Sequence, residues 1–295
     1  MQARPNFFIV GAPKCGTTAF SEYLSDHPDI CFSRSKEPHF FNTDFDAFRW
    51  ARSLDEYLDH FADYKGEKII AEASVQYLYS MDAARNIMEF CPEARILVML
   101  RKPSTFLRSY HNQLLMNFDE TIENLRTAWD ISGQRPQDSM PAENREPAFL
   151  DYKRVGLFSE QLARYLDVFD RSQVMVVFME DWINDPRALY IHLMLFLGIE
   201  DDGKTDFPQV HAAKHVSSRA LHRITQRPPG VLKAVVDMIK RIPGMEKFKP
   251  SDILRRMNVR SGYNEIIVDK ELAAEIEAYF AEDQVRLKQM LDQLP

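Results

Sequence analysis

With 295 residues, 45% of them hydrophobic, the chain has the material for one large α/β domain with a core of its own, and it is read as a single unit over 1–295. A net charge of −7 argues against a general nucleic-acid binder, and three cysteines (Cys15, Cys31, Cys91) supply neither a disulfide framework nor a zinc spacing. No run approaches about 18 apolar residues, so no transmembrane segment is expected; the chain enters its first strand with no room for a signal peptide, and a cytoplasmic location is expected.

Residues 7–10 (FFIV) are apolar and β-favouring, and they run into Gly11, a Pro-containing turn, Lys14 and Gly16. Thr17 and Thr18 then open a segment with helical spacing at Phe20, Tyr23 and Leu24. A strand, loop and helix in that order leave backbone N–H groups and the positive end of a helix dipole aimed at one spot, a natural phosphate site. Glycines permit close approach, Lys14 adds a point charge and the threonines add donors. The loop nearly matches the Walker A pattern GxxxxGK[ST], with Gly11 and Gly16 in register, but Thr17 stands where that pattern has lysine. A P-loop kinase or NTPase is therefore the alternative reading. Cys15, beside Lys14 at a helix start, is either a thiol of lowered pKa or a small residue that suits the turn; the second reading carries more weight.

Pro28 stops the first helix. In residues 31–41, Lys36, Glu37 and His39 lie among Phe32, Phe40 and Phe41, which points to a polar pair at a cleft edge; a cap or salt bridge made by Glu37 is the plainer account. Residues 44–64 carry aromatics at helical spacing and read as core. Residues 68–74 (KIIAEAS) read as a short buried strand, and Glu72, Ser74 and Tyr77 at its end are candidate acceptor contacts, with strand-end capping an equal alternative. Residues 95–100 (RILVML) form the clearest buried strand. It runs into Arg101, with Ser109 eight positions on in the next helix, a pair suited to gripping a phosphate. No Asp follows this strand, so the magnesium carboxylate of an NTPase is missing there.

Residues 118–154 read as a helix followed by a long loop, a variable insertion on the acceptor side. A regular pattern resumes with a helix through Leu162, Tyr165 and Phe169, a strand over 173–178, and a helix over 188–197 closed by Gly198. Parallel strands separated by helices imply a three-layer α/β domain with a central parallel sheet flanked by helices. The segment 219–260 is basic, with 11 Lys/Arg against 3 Asp/Glu, where the rest of the chain has 26 against 41. Packing on the domain is its leading reading, and a weak contact with a membrane or an acidic partner the lesser one. A final helix is expected, with Leu272, Ile276, Tyr279, Phe280, Leu287 and Leu291 on one stripe.

The loop PKCGTT at residues 13–18 resembles the 5′-phosphosulfate loop of sulfotransferases that use 3′-phosphoadenosine 5′-phosphosulfate (PAPS). KEPHFF at residues 36–41 is similar to the branch containing the heparan-sulfate sulfotransferases and many bacterial relatives. Arg101 with Ser109 resembles the family's 3′-phosphate motif. The resemblance implies a P-loop-like fold and O-sulfotransfer from PAPS, with adenosine 3′,5′-bisphosphate (PAP) as product and no metal. Pro13, Lys14, Cys15, Gly16, Thr17 and Thr18 would hold the phosphosulfate, and Lys14 would stabilise the leaving group. Glu37 would be the general base and His39 would line the acceptor site. Arg101 and Ser109 would take the 3′ phosphate. A basic segment over 215–266 would close the nucleotide site, with Arg260 its contact and Arg219 a rival. The acceptor implied is a hydroxyl on a carbohydrate, lipid or other small molecule; Golgi members of the family carry a membrane anchor ahead of this domain.

Overall fold

The computed structural model describes residues 3–208, 214–216, 259–261 and 270–294. Its chain divides into two units, one of Met1–Pro208 with Ile266–Pro295 and one of Gln209–Glu265.

The larger unit is built on five strands: β1 (Phe7–Gly11), β2 (Ile30–Phe32), β3 (Ile69–Ala73), β4 (Arg95–Leu100) and β5 (Val174–Phe178). They pair in the order β2-β3-β1-β4-β5, every pair parallel. Helices cover both faces of such a sheet, which is why its strands read as continuous apolar runs. Phe7 to Val10 and Ile96 to Leu100 are all 0% exposed. The expected three-layer α/β domain is present. Strand β2 was not anticipated: three residues carry no readable periodicity, and it is an edge strand paired with β3 alone.

Helices α1 (Thr17–Ser25), α2 (Leu54–Asp59), α3 (Ala83–Phe90) and α4 (Pro103–Asn117) follow strands β1 to β4 along the chain. Helix α2 begins with a complete capping box, Ser53 and Glu56 each satisfying the other's backbone. Pro103 starts α4, its missing N–H costing nothing in a first turn. The insertion holds α5 (Leu125–Asp130) and α6 (Tyr152–Val155), with short 3₁₀ turns between them. Buried acids tie it down: Glu120 accepts from Arg135 at 3.1 Å and Asp119 from Arg145 at 2.6 Å. Beyond it come α7 (Phe158–Leu166), α8 (Met179–Asn184) and α9 (Pro186–Leu197), the last closed by Gly198 in the left-handed region.

The single C-terminal helix expected is two, α10 (Lys270–Tyr279) and α11 (Ala281–Leu291), broken at Phe280. Leu272, Ile276, Phe280 and Leu287 are buried as the stripe requires, whereas Tyr279 is 49% exposed. Glu275 on α10 accepts from Trp129 Nε1 at 2.8 Å, so the C-terminus braces the insertion. In the smaller unit, β6 (Lys214–Val216) pairs antiparallel with β7 (Val259–Ser261), His215 opposite Arg260.

Strand order places the site. From β1 the chain moves to β2 and β3 on one side, then crosses so that β4 lies on the other. A crevice opens at the carboxyl ends of strands where connections diverge in this way, here beyond β1 and β4.

Candidate active site

Both glycines of the β1–α1 loop are required by its backbone. Gly11 has φ +145° and a Cβ there would lie 2.6 Å from the Val75 carbonyl oxygen; Gly16, at φ +88°, is the N-cap of α1. No side chain caps α1, and its first turn carries no acid, so its N–H groups and dipole remain open to an anion. The Ala12 N–H donates to the Met99 carbonyl at 2.6 Å, binding the loop to the end of β4. Lys14 sits at φ 64° and donates from Nζ to Gln113 Oε1 of α4 at 3.2 Å.

Arg101 follows β4 directly, half-buried, and among the described residues no carboxylate pairs with it or with Lys14. Burial and the charges of Lys36 and Arg101 together push the Lys14 ammonium below its ordinary pKa. Ser109 is one helical turn before Gln113 on α4, so it shares the face that meets Lys14. Lys14 and Arg101 thus feel each other's charge beside the open helix start, and Ser109 lies on the face of α4 that carries Gln113.

The segment 36–41 folds over the end of β3. The Glu37 N–H donates to the Ala73 carbonyl at 3.1 Å. Glu37 and His39 have φ of 62° and 49°, and with Lys14 they are three of the four non-glycine residues at positive φ among those described. Backbone strain of this kind concentrates where function demands a particular side-chain aim. Glu37 lies 3.3 Å from Lys36 Nζ through one oxygen and 3.5 Å from His39 Nε2 through the other. Burial pushes its carboxyl up, but His39 and Lys36 outweigh burial and hold it below the usual carboxylate range. Lys36 also donates to the Thr18 hydroxyl, joining this segment to the start of α1. His39 is 2% exposed.

One expectation needs correction. Glu72, Ser74 and Tyr77 were candidates for touching an acceptor, yet all three are 0% exposed. Their polar atoms are spent on one another and on the backbone of residues 39–41, so they support the loop from beneath. Cys15 is 0% exposed and burial raises its thiol pKa, which favours the weightier reading of a small residue that suits the turn; the thiol donates to the Pro13 carbonyl at 3.5 Å. Arg260 contributes backbone to β7, but its side chain and all of Arg219 lie outside the described residues.

Gln113 and the Lys36–Thr18 contact were not assigned from sequence. Lys36 was visible as the residue before Glu37. Gln113 carried one weak signal, its spacing of four from Ser109 on the same helix face.

Residues 4–218 match the family model for the sulfotransferase domain. Among solved structures, a sulfotransferase from Alicyclobacillus acidocaldarius is 32% identical with a TM-score of 0.62, the alignment covering 81% of this chain and 97% of that one. Mouse sulfotransferase SULT7A1, solved in complex with PAP, shares the fold at a TM-score of 0.50 and 11% identity, over 96% of this chain and 85% of its own. Heparan sulfate glucosamine 3-O-sulfotransferase 6 of Mus musculus is 28% identical over 66% of this chain and 53% of its own length. Human carbohydrate sulfotransferase 15 is 26% identical over 68% of this chain and 44% of its own length. The chain thus spans about half the length of the curated relatives it matches. With the fold, the loop at the end of β1 and the family model in agreement, the chain belongs to the sulfotransferase domain family.

Proposed function

We propose that this chain moves a sulfuryl group from PAPS to a hydroxyl of an acceptor. The observation that carries the reading is the pair of cations, Lys14 and Arg101, with no carboxylate ion pair among the described residues, at the ends of the adjacent strands β1 and β4 beside the uncapped start of α1. Such a crevice fits a ligand with negative charge at two ends, and a doubly phosphorylated adenosine is that ligand. PAP in the SULT7A1 complex is in keeping with it.

In the reaction proposed, the acceptor oxygen attacks sulfur in line as the bond from sulfur to the bridging phosphate oxygen breaks. The bonding electrons pass to that oxygen, and Lys14, with the N–H groups of Gly16, Thr17 and Thr18, neutralises the charge that builds there. Glu37 takes the acceptor proton. Its lowered pKa keeps it ionised at neutral pH, and a placed general base contributes on the order of 10²- to 10⁴-fold. His39, paired with Glu37, orients that base, and Arg101 with Ser109 holds the 3′ phosphate. No step in this scheme calls on a metal. Relatives named for carbohydrate and heparan sulfate transfer make a sugar hydroxyl the first acceptor to try, with lipids and small metabolites next.

The test is transfer of label from PAPS to a panel of hydroxyl acceptors without added metal, alongside calorimetry with PAP. Micromolar PAP binding with labelled product is the expected outcome. A folded protein that binds no PAP, or one that turns over ATP with magnesium instead, overturns the reading.

A further inference from the structure

We propose that Glu72 is a positioning residue for sulfuryl transfer: its carboxylate turns the Ser74 and Tyr77 hydroxyls so that their lone pairs hold the backbone of the loop carrying Glu37 and His39. The inference rests on the assignment of Glu37 as the base given above.

Glu72 is the next-to-last residue of β3 and is 0% exposed. Three hydroxyls donate to it, Tyr57 to Oε1 at 2.9 Å, Tyr77 to Oε1 at 3.1 Å and Ser74 to Oε2 at 2.9 Å. A hydroxyl has one proton, so each of these is committed to the carboxylate and offers only lone pairs in other directions. Ser74 Oγ accepts from the His39 N–H at 3.1 Å, and the Tyr77 hydroxyl accepts from the N–H groups of Phe40 at 2.9 Å and Phe41 at 3.3 Å. Glu37 itself is tied to β3 through Ala73. Every hydrogen bond in the chain therefore points the same way, from loop N–H to hydroxyl to carboxylate, an arrangement that polarises each link.

The loop needs this clamp because Glu37 and His39 occupy the left-handed region, which non-glycine residues leave when nothing holds them. A protonated acid or an amide at position 72 must donate to a hydroxyl that is already donating to it. One link then reverses, and the reversed hydroxyl sends its proton toward a loop N–H. Burial pushes the Glu72 carboxyl up to about 7, so this reversal falls in a reachable pH range. The titratable groups facing Glu72 are Tyr57 from α2, Tyr77 beyond β3 and Tyr165 from α7, phenols whose ionisation burial pushes further upward. His39, whose ring meets Tyr77 at 6.0 Å, shares the loop.

The test compares Glu72→Gln, Ser74→Ala and Glu37→Gln in the full chain, reading kcat, KM for PAPS, PAP affinity and the pH dependence of kcat. Misplacing a reacting group by about 1 Å can cost on the order of 100-fold, and a loosened clamp stops short of that. Glu72→Gln should lower kcat by about 10- to 100-fold, leave PAP affinity within about twofold, and abolish the acid limb near neutral pH. Wild-type kcat and pH profile in Glu72→Gln overturn the proposal, as does an equal loss of kcat and PAP affinity. Should Glu72→Gln not fold, Ser74→Ala decides: it strips the acceptor from the His39 N–H alone, and unchanged kcat there overturns the proposal. Full turnover in Glu37→Gln would instead remove the base assignment, whereas an inactive Glu37→Gln beside a normal Glu72→Gln would remove only the clamp.

Discussion

At the carboxyl end of β3, Glu72, Ser74 and Tyr77 are 0% exposed and every hydroxyl proton among them is used. At the ends of β1 and β4, in the same sheet, Lys14 and Arg101 have no carboxylate at ion-pairing distance among the described residues, and the helix start beside them is uncapped. Polar side chains at the mouth of a parallel sheet are thus of two kinds. Those whose partners lie within the protein are structural. Those held near like charges, at a cost, await a ligand that supplies the missing sign. Position at a strand end is common to both, and partner count separates them.

The largest expected effect tests the unpaired side. Lys14→Ala should lower kcat by about 10²- to 10³-fold, the cost of removing one preorganised donor at a site of developing charge. Single-turnover rates with saturating PAPS measure it. A loss under about tenfold would mean that the ammonium does not face the leaving oxygen, and the contrast between the two strand ends would lose its chemical meaning.

Next is the paired side, read through stability. Glu72 has a folded pKa of about 7 against an ordinary value of 4.5, raised by burial. A carboxyl raised in this way adds stability that is fully present below about pH 4.5 and is lost as pH rises through about 7. That interval, at about 1.4 kcal/mol per unit, amounts to about 3 kcal/mol. Urea unfolding at several pH values should show wild type losing about this much relative to Glu72→Gln between pH 4.5 and 8. Parallel curves would mean that Glu72 is no more costly to ionise than an exposed acid. The fold is more stable with this group protonated, while the clamp on the Glu37 loop calls for it ionised, a conflict expected where a buried acid serves function.

A smaller and more selective effect belongs to Arg101. Arg101→Ala should weaken PAP binding by about 1.5–3 kcal/mol, the range for hydrogen bonds to charged groups, and leave adenosine 5′-phosphosulfate, which has no 3′ phosphate, nearly unaffected. Equal losses for both ligands would place Arg101 elsewhere on the nucleotide.

Four of the five strands were readable because burial on both faces leaves unbroken apolar runs such as 7–10 and 95–100. Lys14 and Arg101 were each picked out by the loop chemistry at a strand end, but the adjacency of β1 and β4 that brings their charges near each other was not read from the sequence. Glu72 was misread because the loop that covers it lies far off in sequence. Residues 39–41 cross over it from 31 to 33 positions away, and single-sequence spacing shows a strand end without showing what covers it. For Cys15 the weightier reading, a small residue that suits the turn, is the one its burial favours. Its neighbour Lys14 suggested a lowered pKa, but desolvation is the larger influence, and depth of burial is not written in a turn. Two helices in place of one at the C-terminus reflect a turn at Phe280, whose backbone (φ −89°, ψ 4°) leaves the helical region although the hydrophobic stripe continues through it.

Gln113 gives the finest test of the unpaired side. Its Oε1 accepts from Lys14 Nζ at 3.2 Å while its Nε2 donates to Asn117 Oδ1 at 2.9 Å, so Asn117 fixes which end of the amide faces the lysine. A neutral acceptor steadies the ammonium without neutralising it, which leaves the full positive charge for an incoming anion; a carboxylate at the same place would compete with that anion. Gln113→Ala should cost about 0.5–1.5 kcal/mol in transition-state stabilisation, the net worth of one hydrogen bond, seen as a fall in kcat/KM of about two- to twelvefold. Gln113→Glu should cost more, and the excess should appear as weaker PAP binding that added salt partly restores. If Gln113→Glu bound PAP as tightly as wild type, Lys14 would not be held in reserve for an anion.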